Sequence, residues 1–197
     1  MIFDPVLYGF VFLGLFTPGP NVIMLTASGA RFGFVRTLPH LFGVVLGVGI
    51  TAGVTALGVG AAVTASPVLN TVLRLGAAAF ILWMAWGLWK ASGHPRKAHD
   101  PDERPLSFFG AVLFQWINPK VWAVAFAASA GYGAGLAPWL EALRLGTAFS
   151  SLNLGVCLFW TAFGSLLTAL LAAPTAWKVF LRIMALLLAA TVLLLFR

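Results

Sequence analysis

The sequence predicts an all-α polytopic membrane protein of about six transmembrane helices, built as an inverted repeat of two three-helix halves in which helices 1 and 4 are broken. Three observations predict it. Apolar residues make up 61% of the chain and charged ones 9%, against roughly 45–50% and 25% in soluble domains. Six apolar runs are long enough for a crossing, at roughly 20 residues each. Two helix-breaking motifs, Thr17-Pro18-Gly19-Pro20-Asn21 and Phe114-Gln115-Trp116-Ile117-Asn118-Pro119-Lys120, lie inside such runs rather than between them.

In order, the runs are Pro5–Ala27, Leu41–Val63, Leu75–Trp89, Phe108–Ala130, Gly146–Ala172 and Val179–Phe196. The first follows Asp4 without a basic region or a small-x-small cleavage signal, so it is expected to stay as a helix. On the second, Gly43 and Gly47, then Gly49 and Gly53, stand four apart, the spacing that lets membrane helices approach closely. The third is short unless it begins before Arg74; Trp83, Trp86 and Trp89 near its end suit the membrane interface. Lys90 to Arg104 holds seven of the chain's 17 charged residues together with Pro95 and Pro101, with Pro105 just beyond, and reads as a solvated linker. The chain thus divides into a first repeat (1–90), a charged linker (91–106) and a second repeat (107–197). His94 and His99 in that linker stand among Asp100, Asp102 and Glu103, but nothing there fixes ligand geometry, so no metal is expected. The single cysteine, Cys157, excludes an internal disulfide and reads as a small core residue. No cofactor is implied.

The halves resemble each other. A shift of 99 places Pro20-Asn21-Val22 on Pro119-Lys120-Val121, Pro39 on Pro138 and Leu46-Gly47 on Leu145-Gly146; a shift of 108 places Leu73-Arg74-Leu75 on Leu181-Arg182-Ile183. Three crossings per repeat is an odd number, so the second copy enters the membrane inverted, and inverted repeats with one broken helix each point to a secondary transporter with a midplane site. Arg31, Arg36, Lys90, Arg96, Lys97, Arg104, Lys178 and Arg182 fall in alternate loops, with only Arg74, Arg144 and Arg197 opposite. The positive-inside rule then puts the linker in the cytoplasm and both termini outside. The net charge of +7 sits at the ends of apolar runs, which suits an anionic membrane surface and not nucleic acid.

The breaks carry the chemistry. Asn118 is a favoured N-cap and Pro119 a favoured first helical residue, so one helix ends there and another starts; Pro20 starts a half-helix in the same way after Pro18-Gly19. Two half-helix N-termini would bring positive dipole ends to a common place that suits a carboxylate. Lys120 adds a charge costing about 2.5–3.5 kcal/mol at membrane depth unless it faces a cavity or a partner. No apolar run contains an acid to pair with it, so a ligand's anionic group is its expected partner. The expected substrate-binding set is Pro18, Gly19, Pro20, Asn21, Gln115, Asn118, Pro119 and Lys120. Asp4 and Glu141, the only acids outside the linker, are the candidates for ion coupling.

Thr17-Pro18-Gly19-Pro20-Asn21, then Ala27-Ser28-Gly29-Ala30-Arg31-Phe32-Gly33, then Phe114-Gln115 to Asn118-Pro119-Lys120, resemble the LysE-type amino-acid exporters over essentially the whole chain. The resemblance implies a multi-pass protein of the bacterial inner membrane that exports amino acids or their derivatives, driven by proton exchange. Asn21 stands where many members have an acid, which leaves the hinge without a carboxylate and weakens a basic amino acid as substrate. The partners implied are a small zwitterion and the lipid bilayer, with a homodimer allowed. The competing classes lack residues. A thiol-electron carrier needs two cysteines, and a hydrolase needs a nucleophile, base and orienter, whereas His40 beside Pro39 reads as interfacial. A cation channel or metal exporter is usually lined by acids or carbonyls, and intramembrane acids are absent. A structural scaffold would explain the glycines but not two polar breaks.

Overall fold

The computed structural model describes residues 4–17, 19–58, 67–93, 103–170, 173–190 and 192–193. Pro18 and most of the linker, including His94 and His99, lie outside the described residues. The described chain forms eight α-helices and no strand: α1 Pro5–Phe16, α2 Pro20–Phe32, α3 Phe34–Ala56, α4 Pro67–Ser92, α5 Phe108–Ile117, α6 Pro119–Gly131, α7 Pro138–Leu170 and α8 Pro174–Ala190. Six of these eight begin at a proline, where the missing N–H removes no helical bond and the fixed φ suits the first turn. Among the described residues only Pro39 lies inside a helix. Prolines here mark starts, not kinks.

Two short helices followed by two long ones occur twice in order. α3 and the Pro138–Leu167 part of α7 are each long and apolar enough to cross a membrane, and α1 with α2, bent by 58° at their junction, makes a third span if the pair is counted as one. At 1.5 Å per residue, the ten residues of α5 reach only about 15 Å, half a hydrocarbon core. Several helices outrun the apolar runs that announce them. α2 extends to Phe32, α3 begins at Phe34, and α4 begins at Pro67, well before Arg74. A helix continues past its apolar stretch as long as its polar residues are satisfied, as when Thr37 Oγ1 donates to the Gly33 carbonyl (2.8 Å). Gly33 makes the α2–α3 corner at φ 82°, a conformation that favours glycine.

α3 lies against α5 and α6, and α7 against α2 and α1, with α3 and α7 packed on each other and α4 on α8. Small residues set these approaches. A Cβ added at Gly43 would strike the Phe108 carbonyl, and one at Gly47 would come within 2.7 Å of Gln115 Cγ, so this face of α3 seats α5. Gly49 and Gly53 face Gly146, Ser150 and Ala142 on α7. Across the other seam, Gly29 meets the Thr161 backbone and Gly164 meets the Thr26 backbone, locking α2 to α7. Lipid offers apolar groups no reason to leave it, so close backbone contact of this kind must supply much of the association. The buried core of Leu7, Val11, Leu41, Val44, Val48 and Phe149 fills the space between the seams.

Candidate functional site

The two breaks meet. Asn21 Nδ2 donates to Gln115 Oε1 at 2.8 Å, and Gln115 Nε2 donates back to Asn21 Oδ1 at 3.2 Å. Asn118 Nδ2 reaches the same Gln115 oxygen at 3.2 Å, while Asn118 Oδ1 accepts from the Lys120 N–H at 3.2 Å and so caps α6. Lys120 crosses the other way, its Nζ donating to the Thr17 carbonyl at the end of α1. Its stem runs beside Gly19, where an added Cβ would stand 2.7 Å from Lys120 Cδ. In the 99-residue register Asn21 and Lys120 are equivalent positions. Each therefore leaves the first turn of its own half-helix and braces the other half's break.

This exchange explains how the backbone tolerates being broken. Carbonyls left unpaired in an apolar setting cost several kcal/mol each, so a break must find them donors. Thr17 Oγ1 donates to the Gly14 carbonyl (3.1 Å) and Lys120 to Thr17. At the second break Gln115 Nε2 donates to Ala111 (2.9 Å), the Asn118 N–H to Gln115 (3.2 Å), and Trp122 Nε1 to Trp116 (2.9 Å). Lys120, expected from the sequence to be without a protein partner, has one: a neutral carbonyl that offsets its charge only in part.

A cavity of about 20 Å³ lies beside the braces, lined by Gly19, Asn21, Asn118, Lys120, Val156 and Cys157 among others. That is room for about one water. Asn153 and Trp160 of α7 also line it, and Asn153 Nδ2 and Trp160 Nε1 are buried without a hydrogen-bond partner. The sequence reading missed both. Asn153 is legible afterwards as the only carboxamide in the Gly146–Ala172 run, whereas Trp160 is one of eight tryptophans and carries no such signal. Cys157 is 2% exposed, a core position as expected, but it borders this cavity. Of the expected set, Gly19, Asn21, Asn118 and Lys120 line the cavity, Gln115 braces it from behind, and Pro20 and Pro119 start the helices that frame it.

Asp4 and Glu141 lie elsewhere, together. Both approach the guanidinium of Arg144, which is 5% exposed, at 3.8 Å and 3.2 Å, and the guanidinium also donates to the Tyr132 carbonyl at 2.8 Å. Asp4 accepts from the Val6 and Leu7 N–H groups, and Glu141 from those of Ala134 and Leu136. The cluster ties the starts of α1 and α7 to the loop after α6. At the opposite end Arg31 pairs with Glu103 at 2.7 Å. His40 is buried, 1% exposed inside α3, with Nδ1 3.2 Å from Ser28 Oγ. Pro39 begins no helix there, so the turn carrying His40 is carried inward against α2. Among the described residues no group of three or more His, Cys, Asp or Glu is placed to hold a metal.

The family model described as "LysE type translocator" matches residues 12–196. Among curated relatives, the cysteine/O-acetylserine efflux proteins of Escherichia coli (strain K12) and of Shigella flexneri serotype 5b (strain 8401) are each 30% identical over 105 residues. Each match covers 53% of this chain and 52% of the relative, so the chain spans about half the length of the curated relatives it matches. No solved structure matches the chain.

Proposed function

The chain belongs to the LysE type translocator family, and from that premise we propose that it is a secondary transporter that exports a small zwitterionic amino acid or derivative across the bacterial inner membrane. One observation carries the reading: Lys120, from the second half, lies across Gly19 at the start of α2, a helix whose first turn has no side-chain cap. An uncapped helix start offers N–H groups and a positive dipole end, and the ammonium beside it completes a receptor for a carboxylate. α6 is closed to that role because Asn118 already caps it. The amide oxygens of Asn21, Gln115 and Asn118 suit a substrate ammonium, and Asn153 Nδ2 is a spare donor for a carboxylate or an acyl oxygen.

A cavity that holds one water is too small for an amino acid, so the proposed site is closed in this geometry. Substrate admission must part the Asn21–Gln115 braces and swing the half-helices about Gly19 and Asn118. The apolar lining by Val22, Leu25, Val156 and Cys157 favours a compact side chain over a basic one. The relatives named for cysteine and O-acetylserine efflux support the same size class. The recurrence of short, short, long, long helices supports six crossings as two inverted halves, and the basic end at Arg31 and Arg36 supports a cytoplasmic linker with both termini outside. Proton exchange is the proposed driving reaction. Its candidate carboxylates are Asp4 and Glu141, since protonating either weakens its hold on Arg144 and favours parting α1 from α7.

The test is export from cells overproducing the chain, with labelled amino acids scanned across the natural set plus O-acetylserine. Export of a small neutral zwitterion, at least tenfold above that of cells carrying Lys120→Met, is the expected result (~1.4 kcal/mol of transition-state binding or more). Export that is absent for every compound, or unchanged by Lys120→Met, removes the reading.

A further inference from the structure

A second cavity, of about 370 Å³, opens between α2, α3, α4 and the residues leading into α5. Its volume lies within the range of small-molecule sites, roughly 300–1,000 Å³. Three features make it a built site and not a packing gap. Arg31 and Arg104 both line it, Arg31 also pairing with Glu103 at 2.7 Å so that Arg104 supplies the excess positive charge, with Trp83 and Leu88 providing apolar walls. His40 lines it from α3, almost fully buried, its Nδ1 held by Ser28 and its Nε2 without any hydrogen-bond partner. A buried imidazole nitrogen left unpaired in such a place lacks a polar partner that a ligand would supply. The third feature is the partition. Asn21, Val22 and Leu25 of α2 line the 20 Å³ cavity, whereas Met24, Ala27, Ser28 and Arg31 of the same helix line this one. One half-helix, hinged at Gly19, separates a space that holds a water from a space that holds a small molecule.

We infer that the larger cavity is a waiting station for the exported amino acid, its carboxylate held by Arg31 and Arg104 and a polar group held by His40 Nε2, before α2 swings to admit it to the midplane site. The inference rests on the exporter reading for the identity of its ligand. The station itself is a prior site, distinct in residues from the one at Lys120.

The experiment uses the full chain with Cys157→Ala and a reporter cysteine at Leu88→Cys, in nanodiscs of phosphatidylethanolamine. The reporter is modified by an anionic sulfonatoethyl or a cationic trimethylammonioethyl methanethiosulfonate of similar size. The anionic reagent should react about tenfold faster, because converging positive charge raises the local anion concentration. Arg31→Gln with Arg104→Gln should bring the two rates together. Millimolar O-acetylserine or another small, neutral, thiol-free amino acid should slow modification at least threefold, and should do so equally with Lys120→Met, but not with His40→Ala. Equal rates for the two reagents, or no protection by any small zwitterion, overturns the station. Protection by added phosphatidylglycerol and by no amino acid also overturns it, since the occupant is then a lipid headgroup. Export without protection defeats this inference and leaves the exporter reading standing; protection without export does the reverse.

Discussion

The first break and the second, 99 residues apart, are finished differently. Gly19 precedes Pro20 where Asn118 precedes Pro119, and Asn21 stands where Lys120 stands. The second break supplies its own cap and also sends its lysine to the first. The first has no side-chain cap, and its asparagine is spent on Gln115. The molecule therefore has two half-helix starts, one closed by its own cap and the other open beside a positive charge. A symmetric pair would offer a carboxylate two equal places. The asymmetry offers one, which the proposed zwitterion site would need in order to bind its substrate in a single orientation.

Breaking the charge at the open side has the largest expected effect. Lys120→Met should abolish transport while folded yield changes little, because the roughly 2.5–3.5 kcal/mol of insertion cost it removes is offset by the Thr17 carbonyl it leaves without a donor. Yield and transport measured on the same preparation check it, and transport at the parental rate would show that the open start needs no cation. Gly47→Leu attacks the support of the closed side, forcing Gln115 and α5 away from α3. Overpacking of this kind costs typically 1–3 kcal/mol, so the midpoint of thermal unfolding in detergent should fall. An unchanged midpoint would mean that α5 is seated by other contacts. Gly19→Ala is gentler. The new methyl displaces the Lys120 stem from the start of α2, and transport should drop about tenfold (~1.4 kcal/mol) at near-native stability. Asn118→Ala should be smallest, about 1 kcal/mol for a lost cap, and should make the second start resemble the first. A doubling of substrate stoichiometry in that variant would be the sharpest sign that capping alone distinguishes the two sides.

Much of this comparison was legible before any coordinates, because it depends on residues whose effect is local. Pro20 and Pro119 start helices wherever the chain places them, and glycines four apart on α3 present a flat face whichever helix arrives. The cross-bracing was not legible. Lys120 finds Thr17, and Asn21 finds Gln115, only through the meeting of distant segments, which no spacing within either motif encodes. The burial of His40 was not legible for a related reason: a polar residue beside a proline suits a membrane surface, and only the packing of α2 on α3 buries it against Ser28. Asp4 and Glu141 were legible as the sole acids outside the linker, but their convergence on Arg144 is a property of the assembled end.

On the exporter reading proposed above, the bond from Lys120 to the Thr17 carbonyl bears on the return half of a transport cycle. A carrier that has released its cargo must reset across the membrane, and a bare ammonium in hydrocarbon would make that leg slow. The Thr17 carbonyl gives the ammonium an internal partner, so a carrier of the proposed kind would not need an anion in order to reset. Cargo would have to displace that partner, at a cost in grip. The same contact would then trade affinity for turnover, a balance suited to clearing a metabolite when it is abundant rather than scavenging it when it is scarce.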